Sequence, residues 1–107
     1  MKSFKYAFEG LLGAFKKEKN LRIMLGLFLF SLLLIFYFNL SRVESAVVVL
    51  AGVFMLVVEL VNSAVEKTLD IVKKHHDDNV KYVKDVMAGA SLVASVAWLA
   101  VVIYVIF

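Results

Sequence analysis

The sequence predicts an all-α integral membrane protein, with one amphipathic surface helix followed by three transmembrane helices. Three observations carry this expectation. Of 107 residues 63% are apolar and the mean hydropathy is +0.89, against roughly 45–50% apolar in a soluble domain. The apolar residues gather into three long stretches, and the charged residues, 20% of the chain, lie mainly outside them. A soluble chain of this length needs a large polar surface, which this composition does not supply. Disorder needs low hydrophobicity and high net charge, and neither holds here. With no cysteine, a disulfide-stapled secreted fold, a thiolate metal site and a cysteine nucleophile are excluded. The expectation is a single domain.

The N-terminal stretch, residues 1–20, places Phe4, Phe8, Leu11, Leu12 and Phe15 on one helix face. Lys2, Lys5, Glu9, Lys16 and Lys19 lie largely off that face. Such a helix is suited to the membrane interface, with its lysines among the headgroups. Gly10 and Gly13 weaken it and mark the place for a bend. Five lysines and no clean apolar run before a small-residue cleavage site argue against a signal peptide.

The three apolar stretches predict spans at about 21–40, 45–66 and 85–107, each near the ~20 residues that cross the hydrocarbon core. The runs are continuous rather than alternating and too few to close a barrel. Lysine and arginine are dense before residue 22 and again within 66–85, but sparse around Arg42 and absent after Lys84. The positive-inside rule then puts the N-terminus and the 66–85 loop in the cytoplasm, and the Ser41–Glu44 turn and Phe107 outside. The net charge of +3 and pI near 9.2 are read as topology signals, with no nucleic-acid partner. The polar cluster from Lys73 to Asn79 is expected to interrupt the helical pattern.

The chemistry gathers in Glu59-Leu-Val-Asn62-Ser63-Ala-Val-Glu66-Lys67-Thr-Leu-Asp70. At about 100° per residue, Glu59, Asn62, Ser63, Glu66 and Asp70 share one helix face that begins inside a span. Intramembrane carboxylates are expensive and point to function. Interhelical hydrogen bonding accounts for Asn62 and Ser63, but three acids on one stripe repel one another unless a cation sits among them. Glu18 is expected at the same membrane depth as Glu66. Two carboxylates suit magnesium, which takes one or two of them together with substrate phosphates and water. Lys84 and Asp85 open the third span. Snorkelling explains the lysine; the alternative is a phosphate-binding lysine oriented by the aspartate. Lys67, Lys73, Lys74 and Lys81 add positive potential for an anion, and no glycine-rich phosphate loop is present. His75 and His76 are adjacent and have no metal-ligand spacing. Ala90/Ala94 and Ser91/Ser95 favour close helix packing. Trp98, Tyr104 and Tyr37 read as packing or interfacial aromatics.

These residues resemble a known signature. Glu59-x-x-Asn62-Ser63-Ala64-Val65-Glu66-Lys67-x-x-Asp70, then Lys84-Asp85 followed by Ala88-Gly89-Ala90, is similar to the bacterial diacylglycerol kinase family, which includes undecaprenol kinases. Phe4-Lys-Tyr6-Ala-Phe-Glu-Gly10 and Glu18-Lys-Asn20-x-Arg22 extend the resemblance over nearly the whole chain. It implies a single membrane-embedded lipid kinase domain, 1–107, in the bacterial cytoplasmic membrane. It also implies a homotrimer with sites shared between protomers, ATP as co-substrate and Mg2+ as cofactor. By matching position, Glu59 is the general base toward the lipid hydroxyl, and Glu18 and Glu66 hold the metal. Tyr6, Glu18, Asn62, Glu66, Lys84 and Asp85 line the nucleotide, while Asn20, Arg22, Ile23, Met24 and Glu59 meet the lipid. Many members carry an aromatic-His pair in the 66–85 loop. Here an ungapped count from Lys84 puts Asp77 in the histidine position, and Asp77 joins the nucleotide residues on that basis. The Glu-Lys-Asn-x-Arg and Val-Glu-Lys-Thr-x-Asp forms are similar to the Gram-positive branch, which favours undecaprenol over diacylglycerol.

Two readings from other classes compete. A transporter or channel built on the acidic stripe needs a polar path across the bilayer, yet the first span has no charge from Ile23 to Leu40 and the third none after Asp85. A structural subunit would pair its acids with a partner's lysines. Turnover of ATP with a lipid alcohol separates the kinase from both.

Overall fold

The computed structural model describes residues 2–72 and 78–107, and the described residues form four helices and no strand. They are α1 (Lys2–Lys17), α2 (Lys19–Tyr37), α3 (Arg42–Val72) and α4 (Asp78–Ile106). The last three are long and apolar enough to cross a membrane. The fold class is therefore the expected one, but several boundaries differ.

α1 is strongly amphipathic, with Phe4 and Phe8 exposed and no buried residue. It runs through Gly10 and Gly13 without the expected bend; the chain breaks at Glu18 instead, whose backbone is extended. Arg22 fixes this corner. Its Nη1 donates to the carbonyls of Phe15 at 2.9 Å and Lys16 at 2.8 Å. These carbonyls belong to the last turn of α1, where helical partners run out and a cation is favoured.

α2 ends three residues before the expected limit. Asn39 adopts a left-handed φ of 52°, a conformation asparagine tolerates better than most residues. Leu40 N–H returns to the Ile35 carbonyl at 3.1 Å, which closes the helix end. α3 then starts three residues early because Ser41 and Glu44 form a capping box. The Glu44 N–H donates to Ser41 Oγ at 3.2 Å, and the Ser41 N–H to Glu44 Oε1 at 2.9 Å.

The largest correction concerns 66–85. α3 continues to Val72 and α4 begins at Asp78, so most of the expected loop is helical. Lys67-Thr-Leu-Asp-Ile-Val contains no glycine or proline, and adding a residue to an existing helix is far easier than starting one. At roughly 1.5 Å per residue the 31 residues of α3 reach about 46 Å, well beyond the ~30 Å hydrocarbon core.

α3 is the central helix, packed against both α2 and α4, while α1 packs on α2. The chain is a slab with extents of 50 × 36 × 19 Å. Its core is Val48, Met55, Trp98 and Val102, with Met24, Leu34 and Ile35 of α2 packed against it. Trp98 is thus a core residue, whereas Tyr37 and Tyr104 are exposed. Leu33, Phe36, Leu50, Phe54, Leu92 and Val93 are also exposed, as befits helices whose solvent is lipid.

Gly52 marks a tight helix approach. A Cβ there would overlap the Phe28 ring and lie 3.4 Å from Trp98 Nε1. Gly52→Ala is expected to destabilise the fold by about 1–3 kcal/mol, the range for overpacking, seen as an earlier unfolding midpoint in detergent micelles. Phe28→Leu in the same chain should recover part of the loss.

Candidate functional site at the charged end of the helices

α2 and α3 run antiparallel, so the start of α2, the end of α3 and the start of α4 meet at one end of the slab. Most of the polar side chains collect there. The α3 face carries them in order of increasing exposure. Glu59 is 4% exposed, Asn62 7% and Ser63 8%, Glu66 is half-buried, and Lys67 and Asp70 are exposed.

Glu59 is therefore a buried carboxylate in an apolar stretch. Among the described residues it has one hydrogen bond, accepted at Oε2 from the Ser91 hydroxyl of α4. Burying an unpaired charge is strongly unfavourable, and this donor is the local compensation. Asn62 lies one turn further on. Its Oδ1 is buried, and no donor reaches it among the described residues. The interhelical hydrogen bonding weighed for Asn62 is thus not made through that oxygen among the described residues.

A cleft of about 730 Å³ opens between α1 and the charged half of α3. Its polar lining is Glu9, Lys17, Glu18, Ser63 and Lys67. Gly10, Gly13 and Ala14 provide the α1 wall, and a Cβ on either glycine would meet nothing within 4 Å. The volume falls in the ~300–1,000 Å³ range of small-molecule sites. Glu18 holds the N-cap position of α2 but makes no side-chain cap bond, so its carboxylate is not consumed by the helix end.

The first turns of α4 are tied down by ion pairs. Lys84 Nζ donates to Asp70 Oδ1 at 2.9 Å, joining α4 to α3, and Lys81 Nζ donates to Asp85 Oδ2 at 2.7 Å. The expected orientation of Lys84 by Asp85 is not what forms. Asp70 is the partner of Lys84, because the extension of α3 brings it alongside α4. Both pairs are solvent-exposed, and such pairs contribute little to stability.

Tyr6 is exposed on α1 and does not line the cleft. Asn20 and Ile23 are exposed on the first turns of α2, Met24 is half-buried against the core, and Arg22 is engaged with the α1 carbonyls. Glu66 does not line the cleft. Asp77 lies outside the described residues, as do Lys73, Lys74, His75 and His76. Two contributions were not foreseen. Glu9 and Lys17 line the cleft, and their position on the polar side of the amphipathic stripe was the available signal. Ser91, read as a packing residue, touches Glu59.

No three acids or histidines converge to hold a metal among the described residues. Magnesium bound with a nucleotide needs only one or two protein carboxylates, so the free Glu18 side chain and half-buried Glu66 suit it chemically.

The structure is that of a small integral membrane protein with its polar side chains gathered at one end of three apolar helices and one acid sunk among them. The family of prokaryotic diacylglycerol kinases matches over residues 5–107. A diacylglycerol kinase of Pseudomonas aeruginosa is 34% identical over 89 residues, covering 83% of this chain and 72% of that protein. One from Synechocystis is 31% identical over 96 residues, 89% of this chain. One from Helicobacter pylori is 29% identical over 97 residues, 91% of this chain and 76% of that protein. The chain spans 55% of the Synechocystis protein. The chain belongs to the prokaryotic diacylglycerol kinase family, a class of membrane lipid kinases.

Proposed function

We propose that the chain transfers the γ-phosphoryl group of ATP to the primary hydroxyl of a membrane lipid, undecaprenol or diacylglycerol, at the cytoplasmic face of a bacterial inner membrane. The observation that carries this reading is the buried Glu59 carboxylate, set further into the apolar part of α3 than the charged cleft. Glu59 and Glu66 are separated by about two helical turns, roughly 10 Å. A lipid hydroxyl arriving from the bilayer and phosphates arriving from water would meet between them.

In the step itself the lipid O–H bond breaks and its proton passes to Glu59. The alcohol oxygen bonds to the γ-phosphorus, the bond from that phosphorus to the bridging oxygen breaks, and ADP leaves. Positioning and charge neutralisation carry most of such catalysis. Glu18 and Glu66 would hold magnesium, which neutralises phosphate charge when bound. Lys67 and Lys84 add positive potential, Lys84 by exchanging Asp70 for a phosphate. Asn62, Asp85, Tyr6 and Asp77 complete the nucleotide side. Asn20, Ile23 and Met24 flank the lipid, and Arg22 holds the corner that presents them. A homotrimer, with sites completed between protomers, would cover part of the exposed apolar surface of the slab.

The test is phosphorylation by the purified chain with labelled ATP and a mixture of undecaprenol and diacylglycerol. Label entering either lipid phosphate supports the reading and ranks the two; label in neither overturns it. Topology has its own test, because the chain contains no cysteine. An impermeant thiol reagent on intact cells is expected to label Ser41→Cys and spare Lys74→Cys. The reverse pattern would invert the orientation.

A further inference from the structure

We infer that Ser91 is a positioning residue for the Glu59 carboxylate, an inference that rests on the reading of Glu59 as the base. The Ser91 hydroxyl on α4 donates to Glu59 Oε2 on α3, and both side chains are more than nine-tenths buried. Other helical hydroxyls behave differently. Ser31 donates to the Phe28 carbonyl, Thr68 to Ala64 and Ser95 to Ser91, each within its own helix. That is the usual outlet for serine or threonine inside a helix. Ser91 instead donates its hydrogen bond across the α3–α4 interface to an ionisable group.

This arrangement has a chemical consequence. A glutamate side chain has several free torsions, and a base works only within hydrogen-bond reach of the proton that it takes. Holding Oε2 removes much of that freedom and leaves Oε1 to receive the alcohol proton. Oε2 can accept from Ser91 before and after Oε1 is protonated, so the hydroxyl does not turn during the reaction. Ser91 positions the base and takes no proton itself.

The experiment is a kinetic cycle on the full chain in lipid vesicles. Ser91→Ala is expected to lower kcat about tenfold, the scale of one charge-assisted hydrogen bond, with KM for ATP unchanged. Ser91→Cys keeps the volume with a weak donor and should lose kcat likewise, which covers the case in which the alanine chain fails to insert. Ser91→Thr keeps the hydroxyl and should restore kcat. Ser95→Ala, whose hydroxyl serves only its own helix, should remain near wild type. In a Glu59→Gln background, Ser91→Ala should add no further loss. Wild-type kcat in Ser91→Ala, or an equal loss in both backgrounds, would overturn the positioning role. Near-wild-type kcat in Glu59→Gln alone would instead overturn the reading of Glu59 as base.

Discussion

Glu59→Gln is expected to lower turnover at least about a hundredfold, the low end of a general-base contribution, while KM for ATP stays near the wild-type value. A lipid alcohol is a poor nucleophile until its proton has somewhere to go. Glu59 is the most buried acid among the described residues, and glutamine preserves its shape and an oxygen to face Ser91, while an NH2 group replaces the oxygen that would take the proton. Steady-state kinetics in micelles, varying ATP and lipid independently, separate the possibilities. A raised KM for ATP with turnover intact would make Glu59 a nucleotide or metal residue. Asp70 would be the next acid on that face, but its carboxylate already holds Lys84.

Glu18→Gln and Glu66→Gln are each expected to abolish measurable turnover at ordinary magnesium and to leave insertion intact. Each change removes one negative charge and almost no volume. Neither carboxylate is used by the fold: Glu18 makes no cap bond and Glu66 has no ion pair among the described residues. Partial recovery at raised magnesium or manganese would mark weakened metal binding, which extra metal offsets by mass action. Full activity of either variant at ordinary magnesium would remove that carboxylate from the proposed metal site.

The spans were legible because lipid leaves a simple trace in sequence, namely long runs without charge. The helix ends were less so, because hydropathy reports where a helix leaves the hydrocarbon and not where its hydrogen bonds stop. α3 leaves the apolar region near Glu66 yet continues to Val72. At the other end, Ser41 and Glu44 fix the start through two hydrogen bonds that hydropathy cannot register. The acidic stripe from Glu59 to Asp70 could be read from helical spacing alone, since its residues share one element. Contacts between elements could not. Nothing in the order of residues distinguishes a Ser91 hydroxyl aimed at its own helix from one aimed at Glu59. Lys84 lay beside Asp85 in sequence but found Asp70 in space.

The unbroken course of α3 from the Glu44 cap to Val72 makes it a geared shaft. Each residue added or removed between the cap and Glu59 turns everything beyond it by about 100° and shifts it by about 1.5 Å. A single-residue deletion there would swing Glu59 away from Ser91 and carry Ser63 and Lys67 out of the cleft, although every side chain remained present. Near-complete turns, seven or eleven residues, restore the angle but move the acid by about 10 Å or more along the helix axis. Spacing along this helix is thus as constrained as residue identity, and change in length is left to the connections outside it.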